Sequence, residues 1–488
     1  MFHTWLNFIL VIKSVLTRCN LDQMLKFTSK TILVLSILIL LIPSSSVNAQ
    51  NTIPSGPIYI VQDGDTLWDI AYRFHISQTD LAKANGILNA NEISIGQKLV
   101  IPGLEGVQAI LTTKTVPYGE NLHSLSLRYQ VSPQVLKQLN HITSPNELFT
   151  GYSLVIPQED TYPTLGNRVS LNKGQSLLEL AILNDSDPWT VMGTNNLDNS
   201  LTLLPGEVLR TPGGNDAGPG ALPAEITSLS ITSLTQGQTA EIQVDGGTGL
   251  SIGGSLIDYP LNFFHTSDDR YIALQGVYAM AEPGLYPLSI QVNTSTALSF
   301  GYSQMVMVHA GEFLYDRTLP VDAATLDPET NRVENELWLN SASPVSPEKF
   351  WNGNFFIPVE PVFAKCYSSR FGSRRSYNGS EYIYFHTGLD FCGQVGDPVY
   401  AAASGIVVFT GPLTVRGNAT MIDHGWGVYT AYMHQSEILV NVGDRVEEGQ
   451  LIGRVGRTGR AEGPHLHFEV LVGGVQVDPL GWLNQGFP

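Results

Sequence analysis

The feature that most narrows the fold is a pattern that returns three times at a spacing of about 50 residues. The copies occupy 58–102, 115–157 and 168–212. Each opens with a short β-rich run. A Gly-x-x-Leu follows (Gly64–Leu67, Gly119–Leu122, Gly174–Leu177), then an apolar-periodic helix. A second helix ends near Asn85, Asn140 or Asn195, and a Gly with another β-rich run closes the unit. The expected unit is βααβ. The third copy keeps the order but has the weakest match.

These residues resemble LysM domains. The resemblance implies binding of N-acetylglucosamine-containing glycans, in a groove between the loop after the first strand and the loop before the second. In the first copy that points to Gly64, Asp65 and Thr66, with Asn85, Gly86 and Ile87. A plainer reading stands beside it: Gly64 makes a turn and Asn85 caps a helix.

A chain of 488 residues has room for three or more modules, and 47 Gly with 28 Pro suit β-rich ones. At the N-terminus Lys26 and Lys30 precede an apolar run, Ile32 to Ile42, and Val47-Asn48-Ala49 fits a signal-peptidase site. Residues 1–49 therefore read as an export signal whose true start is Met24. The run is short for a bilayer span, so no stable membrane span is expected after cleavage; an uncleaved anchor is the alternative. Residues 213–223 (GGNDAGPGALP) have the composition of a flexible linker. Residues 224–312 alternate apolar and polar in short bursts, which predicts an immunoglobulin-like β-sandwich serving as a spacer. Residues 313–354 form a connection. Its acidic helix, from Asp327 to Leu339, is expected to turn Leu326, Val333 and Leu337 toward the last domain.

The chemistry concentrates in 355–488, which holds five of the eleven histidines. His465-Leu466-His467 reads as a strand, where alternation puts both imidazoles on one face. His386 and Asp390, four apart around Gly388, are placed to converge. Two His and one Asp are the donor set of a catalytic zinc site that leaves a position for water. Such a site makes hydroxide near neutral pH and polarises a carbonyl, and hydrolysis then needs a proton acceptor and an oxyanion donor.

HTGLD, AYMH and HLH in this order, with RFGSRR upstream, resemble the lysostaphin-type M23 peptidases over 355–483. The resemblance implies zinc (Zn2+) held by His386, Asp390 and His467, with His434 and His465 as the catalytic pair. It also implies a β-hybrid barrel, since VGDPV and VGDRV repeat a Gly-Asp-x-Val turn. Biotinyl and lipoyl carriers share that barrel. A carrier attaches its cofactor to lysine, and none occurs after Lys365. His424 reads as structural. Arg370 and Arg374 are candidates for substrate carboxylates. Cys366 and Cys392 flank the first motif and are either a disulfide or two buried thiols.

The fold class is thus multidomain and mostly β. The expected function is a secreted, cell-wall-associated zinc endopeptidase acting on stem or cross-bridge peptides of bacterial peptidoglycan. A net charge of −18 excludes general nucleic-acid binding, which depends on Lys and Arg. Two readings compete: a non-catalytic activator of another wall hydrolase, and a pure glycan-binding adhesin.

Overall fold

The computed structural model describes residues 56–104, 106–107, 109–159, 161–162, 164–200, 203–232, 234–266, 269–293 and 299–488. The expected signal, 1–49, lies outside them. Among the described residues no helix is long and apolar enough to cross a membrane. The described chain is multidomain and mostly β.

All three repeats are βααβ. The residue before each Gly-x-x-Leu leucine caps the first helix: Thr66, Asn121 and Ser176 accept the N–H of Asp69, Ser124 and Glu179. The Asn after the second helix reaches further than a cap. Asn85 accepts the Val100 N–H at 2.7 Å and donates to the Val100 carbonyl at 2.8 Å, which bolts the helix to the closing strand. Asn140 does the same to Val155, and Asn195 to Arg210. The first two repeats share one four-stranded sheet through parallel pairing of Ile58 with Ile110. The second unit therefore starts before Thr115: its opening strand is Ile110–Thr115.

The segment expected to be a flexible linker is pinned. Arg168, 3% exposed, donates to the carbonyls of Pro219, Leu222, Pro223 and Ile226, and its Nε sits 2.8 Å from Asp216. A guanidinium has five donors and needs that many acceptors when buried. The Gly-Pro-rich chain supplies them as backbone carbonyls. One buried cation from the third repeat orders a segment whose own side chains could not.

Two four-stranded antiparallel sheets follow and pack into a sandwich. It is more than a spacer. Its Ile272 and Leu274 belong to the core of the C-terminal domain, Phe264 stacks on Trp426 at 4.9 Å, and Thr239 accepts from the Trp482 indole at 2.9 Å. On its other side the sandwich grips the second repeat. The Gly119 N–H donates to Gln304, the Gly119 carbonyl accepts from Ala221, Thr150 N–H donates to the Met305 carbonyl, and Glu120 is buried there against Arg128.

The C-terminal domain is built on an eight-stranded sheet. Its centre comprises β1 (Leu389–Cys392), β2 (Gly405–Leu413), β3 (Gly417–Asp423), β4 (Val428–Gln435) and β5 (His465–Val472). The spatial order is β1-β5-β4-β3-β2. One face packs Leu466, Phe468 and Val470 against Val399 and Ile452 of a three-stranded sheet. The repeated Gly-Asp turns have one mechanism. Gly396 and Gly443 take φ of +97° and +95°, and Asp397 and Asp444 each accept an N–H from three residues back. On the opposite face lies the connecting helix, α1 (Pro328–Ser341). It packs on the last domain as expected, but by a different stripe. Val333 and Leu337 are 51% and 44% exposed, while Glu334 and Trp338 are buried. Glu334 accepts the N–H groups of Val415 and Arg416 at 2.9 and 3.0 Å and pairs with the Arg416 guanidinium. Satisfied in this way a carboxylate can face inward, which hydrophobic patterning does not foresee.

Candidate active site

Antiparallel pairing sets the centre. Asp390 of β1 lies directly opposite His467 of β5, so their side chains leave the sheet on the same face. His386 reaches them from the turn before β1. The His386 Nε2, Asp390 Oδ1 and His467 Nδ1 atoms stand 2.7 to 3.0 Å apart, and all three residues are buried.

The His386 ring proton can be placed by elimination. His386 Nδ1 lies 2.9 Å from the Arg370 carbonyl, which only accepts, so Nδ1 carries the proton and Nε2 presents a lone pair. His467 faces a carboxylate on each side, Asp390 at 2.7 Å from Nδ1 and Glu469 at 3.3 Å from Nε2, so Nδ1 is open to a metal when Nε2 donates to Glu469. Two imidazole lone pairs and a carboxylate oxygen thus face one point. Their spacing is near the roughly 3.3 Å edge of a tetrahedron with arms of about 2 Å. This donor set fits zinc. Burial raises the Asp390 carboxyl, yet His386 and His467 hold it well below the usual range. Burial is also the largest influence on both rings. It pushes His386 down to about 4, while for His467 the bonds to Asp390 and Glu469 outweigh it and raise the ring to about 9.

His434 ends β4. Strand alternation would turn it away from the neighbouring Met433, which pairs with His467. A left-handed backbone at φ +60° breaks the alternation, and its ring lies 4.8 Å from that of His465 and 5.9 Å from that of His467. Its Nδ1 donates to the Thr458 carbonyl at 2.8 Å, which leaves Nε2 unprotonated. Burial first, then the neighbouring His465 and His467, push its pKa down to about 3. His465 Nδ1 likewise donates to the Gly463 carbonyl, and its Nε2 is 3.6 Å from Asp390. These side chains lie at the bottom of a cleft of about 910 Å³. One wall is the strap 316–325 and the other the loop 457–464.

All five expected site residues are brought together. His424 stands apart, fully buried, donating to the Ser404 carbonyl and accepting from Thr430, with burial pushing it down to about 4. Arg374 is no substrate ligand: it donates to the Ala279 carbonyl in the sandwich and lies over Phe313. Arg370 lies over Tyr367. Sequence reasoning missed Arg375, whose Nη2 is 3.5 Å from Asp390 and 3.0 Å from Ser369. It also missed Glu469, two residues past His467 on the same strand face. Cys366 and Cys392 form a disulfide.

Against this geometry the comparisons are specific. Residues 384–479 match the model of peptidase family M23, and 59–102 and 115–157 match the LysM domain. Residues 384–479 are an M23 peptidase domain. The peptidoglycan DD-endopeptidase ShyA of Vibrio cholerae is 42% identical over 113 residues, 23% of this chain and 26% of that protein. The DD-carboxypeptidase/endopeptidase Mpg of Neisseria meningitidis is 41% identical over 122 residues, 25% of this chain and 28% of that protein. The chain thus spans about a quarter of the length of these curated relatives. The solved catalytic domain of lysostaphin, an antimicrobial peptidase from Staphylococcus simulans, is 30% identical, covering 30% of this chain and 96% of that one, at a TM-score of 0.20. The M23 domain follows two LysM modules, and the expected glycan residues of the first differ in availability. Around Gly64 and Gly86 there is open space. Asp65 is consumed by Tyr59, Arg73 and the Gln62 N–H, Thr66 by its capping of Asp69, and Asn85 by its bolt to Val100. Ile87 packs on the module core. The plainer reading holds for Asn85. In the second module the matching loop at Gly119 is covered by the sandwich.

Proposed function

We propose that this chain is a zinc endopeptidase that hydrolyses peptide bonds of bacterial peptidoglycan outside the cytoplasm, held to glycan by its first LysM module. The observation that carries the reading is the cluster itself: His386 Nε2, Asp390 Oδ1 and His467 Nδ1 stand 2.7 to 3.0 Å apart, beside two further imidazoles whose Nδ1 atoms face backbone carbonyls. His386, Asp390 and His467 would hold the metal. Zinc with one open position supplies an acidified water and Lewis-acid polarisation of a carbonyl. His434 and His465 do the proton work. A neutral imidazole with Nε2 free accepts a proton as the nucleophile attacks; once protonated, it donates to the oxyanion or the leaving amine. Thr458 and Gly463 keep the two rings aimed through their carbonyls. The names of the curated relatives support peptidoglycan as the substrate. A non-catalytic regulator would need no such set beside an open cleft.

The test is mass spectrometry of fragments released from purified peptidoglycan, with and without a zinc chelator. New peptide termini that vanish with chelator, return with zinc, and are absent for His434→Ala are expected. Intact muropeptides from several wall chemistries, despite bound zinc, would overturn the reading.

A further inference from the structure

We infer that Trp338, on the connecting helix, is a positioning residue of the metal site, acting through Glu469 on the ligand His467. This rests on the zinc reading above. The helix α1 lies outside the 384–479 match and 131 residues from Glu469 in sequence.

The chain of contacts is short. His467 can serve as a ligand only if Nδ1 is unprotonated. Asp390, 2.7 Å from Nδ1, favours a proton there. Glu469, 3.3 Å from Nε2, is the group that draws the proton to the other nitrogen. Its pull depends on orientation, because a carboxylate that swings away leaves His467 to Asp390. Glu469 is 1% exposed, so bulk water does not reach it. Its Oε2 instead accepts the Trp338 indole N–H at 3.2 Å. An indole N–H only donates, so it cannot offer Glu469 a competing acceptor.

Trp338 is itself immobilised. It is 0% exposed, its ring meets Phe409 at 5.6 Å, and the Arg416 guanidinium lies 4.8 Å over it. One turn earlier, Glu334 clamps the same helix to the backbone at Val415 and Arg416. Strand alternation puts Glu469 and His467 on the face of β5 that α1 covers. A helix that pattern reading treats as a connection is thus the outer wall of the metal site.

The experiment is zinc titration of the metal-stripped chain against a chromophoric chelator. Glu469→Gln is expected to weaken zinc binding by about 10- to 100-fold. Trp338→Phe, which keeps an aromatic ring but removes the N–H, should weaken it by several-fold to about 10-fold. The double variant should be no worse than Glu469→Gln alone, because both act on one contact. Val333→Ala, on the exposed face of α1, should leave zinc affinity unchanged. If Trp338→Phe fails to fold, 3-benzothienylalanine at 338 replaces the N–H with sulfur at nearly constant shape. Wild type and the 338 variant binding zinc equally would overturn the inference alone, as would losses that multiply in the double variant. A wild type that binds no zinc would overturn the metallopeptidase reading with it.

Discussion

Glu334→Ala tests how far the helix supports the site. The carboxylate, 5% exposed, takes three bonds of 2.9 to 3.0 Å: the N–H of Val415, the N–H of Arg416, and the Arg416 guanidinium. Alanine leaves two backbone donors and a mostly buried cation without that acceptor. Removing one partner of a buried ion pair costs about 3–5 kcal/mol, and a lost hydrogen bond to a charged group about 1.5–3 kcal/mol. These estimates overlap rather than add, so about 4 kcal/mol is expected. For a unit of 150–250 residues that is a fall in Tm of roughly 8–16 °C. The damage should reach the chemistry, because His434 N–H donates to the Arg416 carbonyl at 3.0 Å. Differential scanning calorimetry of the zinc-loaded chain gives Tm, and turnover on a peptidoglycan fragment below the new Tm reads the second effect. A Tm within 2 °C of wild type would refute the argument, because it would mean that water or a shifted loop satisfies those donors at no cost.

Two further outcomes follow from buried groups. His424 is neutral in the fold, with a pKa pushed down to about 4 by burial. An unfolded histidine near 6.5 takes up a proton first, so stability is kept above pH 6.5 and lost as pH falls toward 4. Its share is about 2 kcal/mol between pH 7.5 and 5. Urea midpoints should show that slope reduced by this amount in His424→Gln, and an unchanged slope would count against it. The Cys366–Cys392 bond closes a loop of 26 residues. Reduction should cost about 3–4 kcal/mol, seen as a lower Tm with reductant, and no shift would show that the loop is held by packing alone.

The clustering of the candidate ligands was legible because strand alternation is local: His465, His467 and the spacing from His386 to Asp390 need only a few consecutive residues. Glu469 was within reach of the same rule, one step further along the strand. Trp338 and Glu334 were not, since their partners lie some 80 to 131 residues away and only tertiary packing joins them. Patterning chose Val333 and Leu337 as the buried stripe of α1, because it weighs side chains by oil-water preference. It has no term for backbone N–H groups waiting for a carboxylate. The choice of Arg374 over Arg375 failed similarly: adjacent in sequence, one faces the sandwich and the other Asp390. Asn85 was ambiguous until its partner fifteen residues on was seen.

The pinned segment after the third repeat changes how such a molecule measures distance. A loose tether lets a blade sample a cloud whose radius grows with the square root of tether length. Here Arg168 removes that freedom, the sandwich clasps the second module on one side, and it shares core residues with the M23 domain on the other. On the proposed function, the path from glycan grip to cutting edge is then a ruler rather than a leash. Cuts should fall at a set offset from the point of grip, and lengthening 213–223 with glycine would blur the offset before it altered the chemistry.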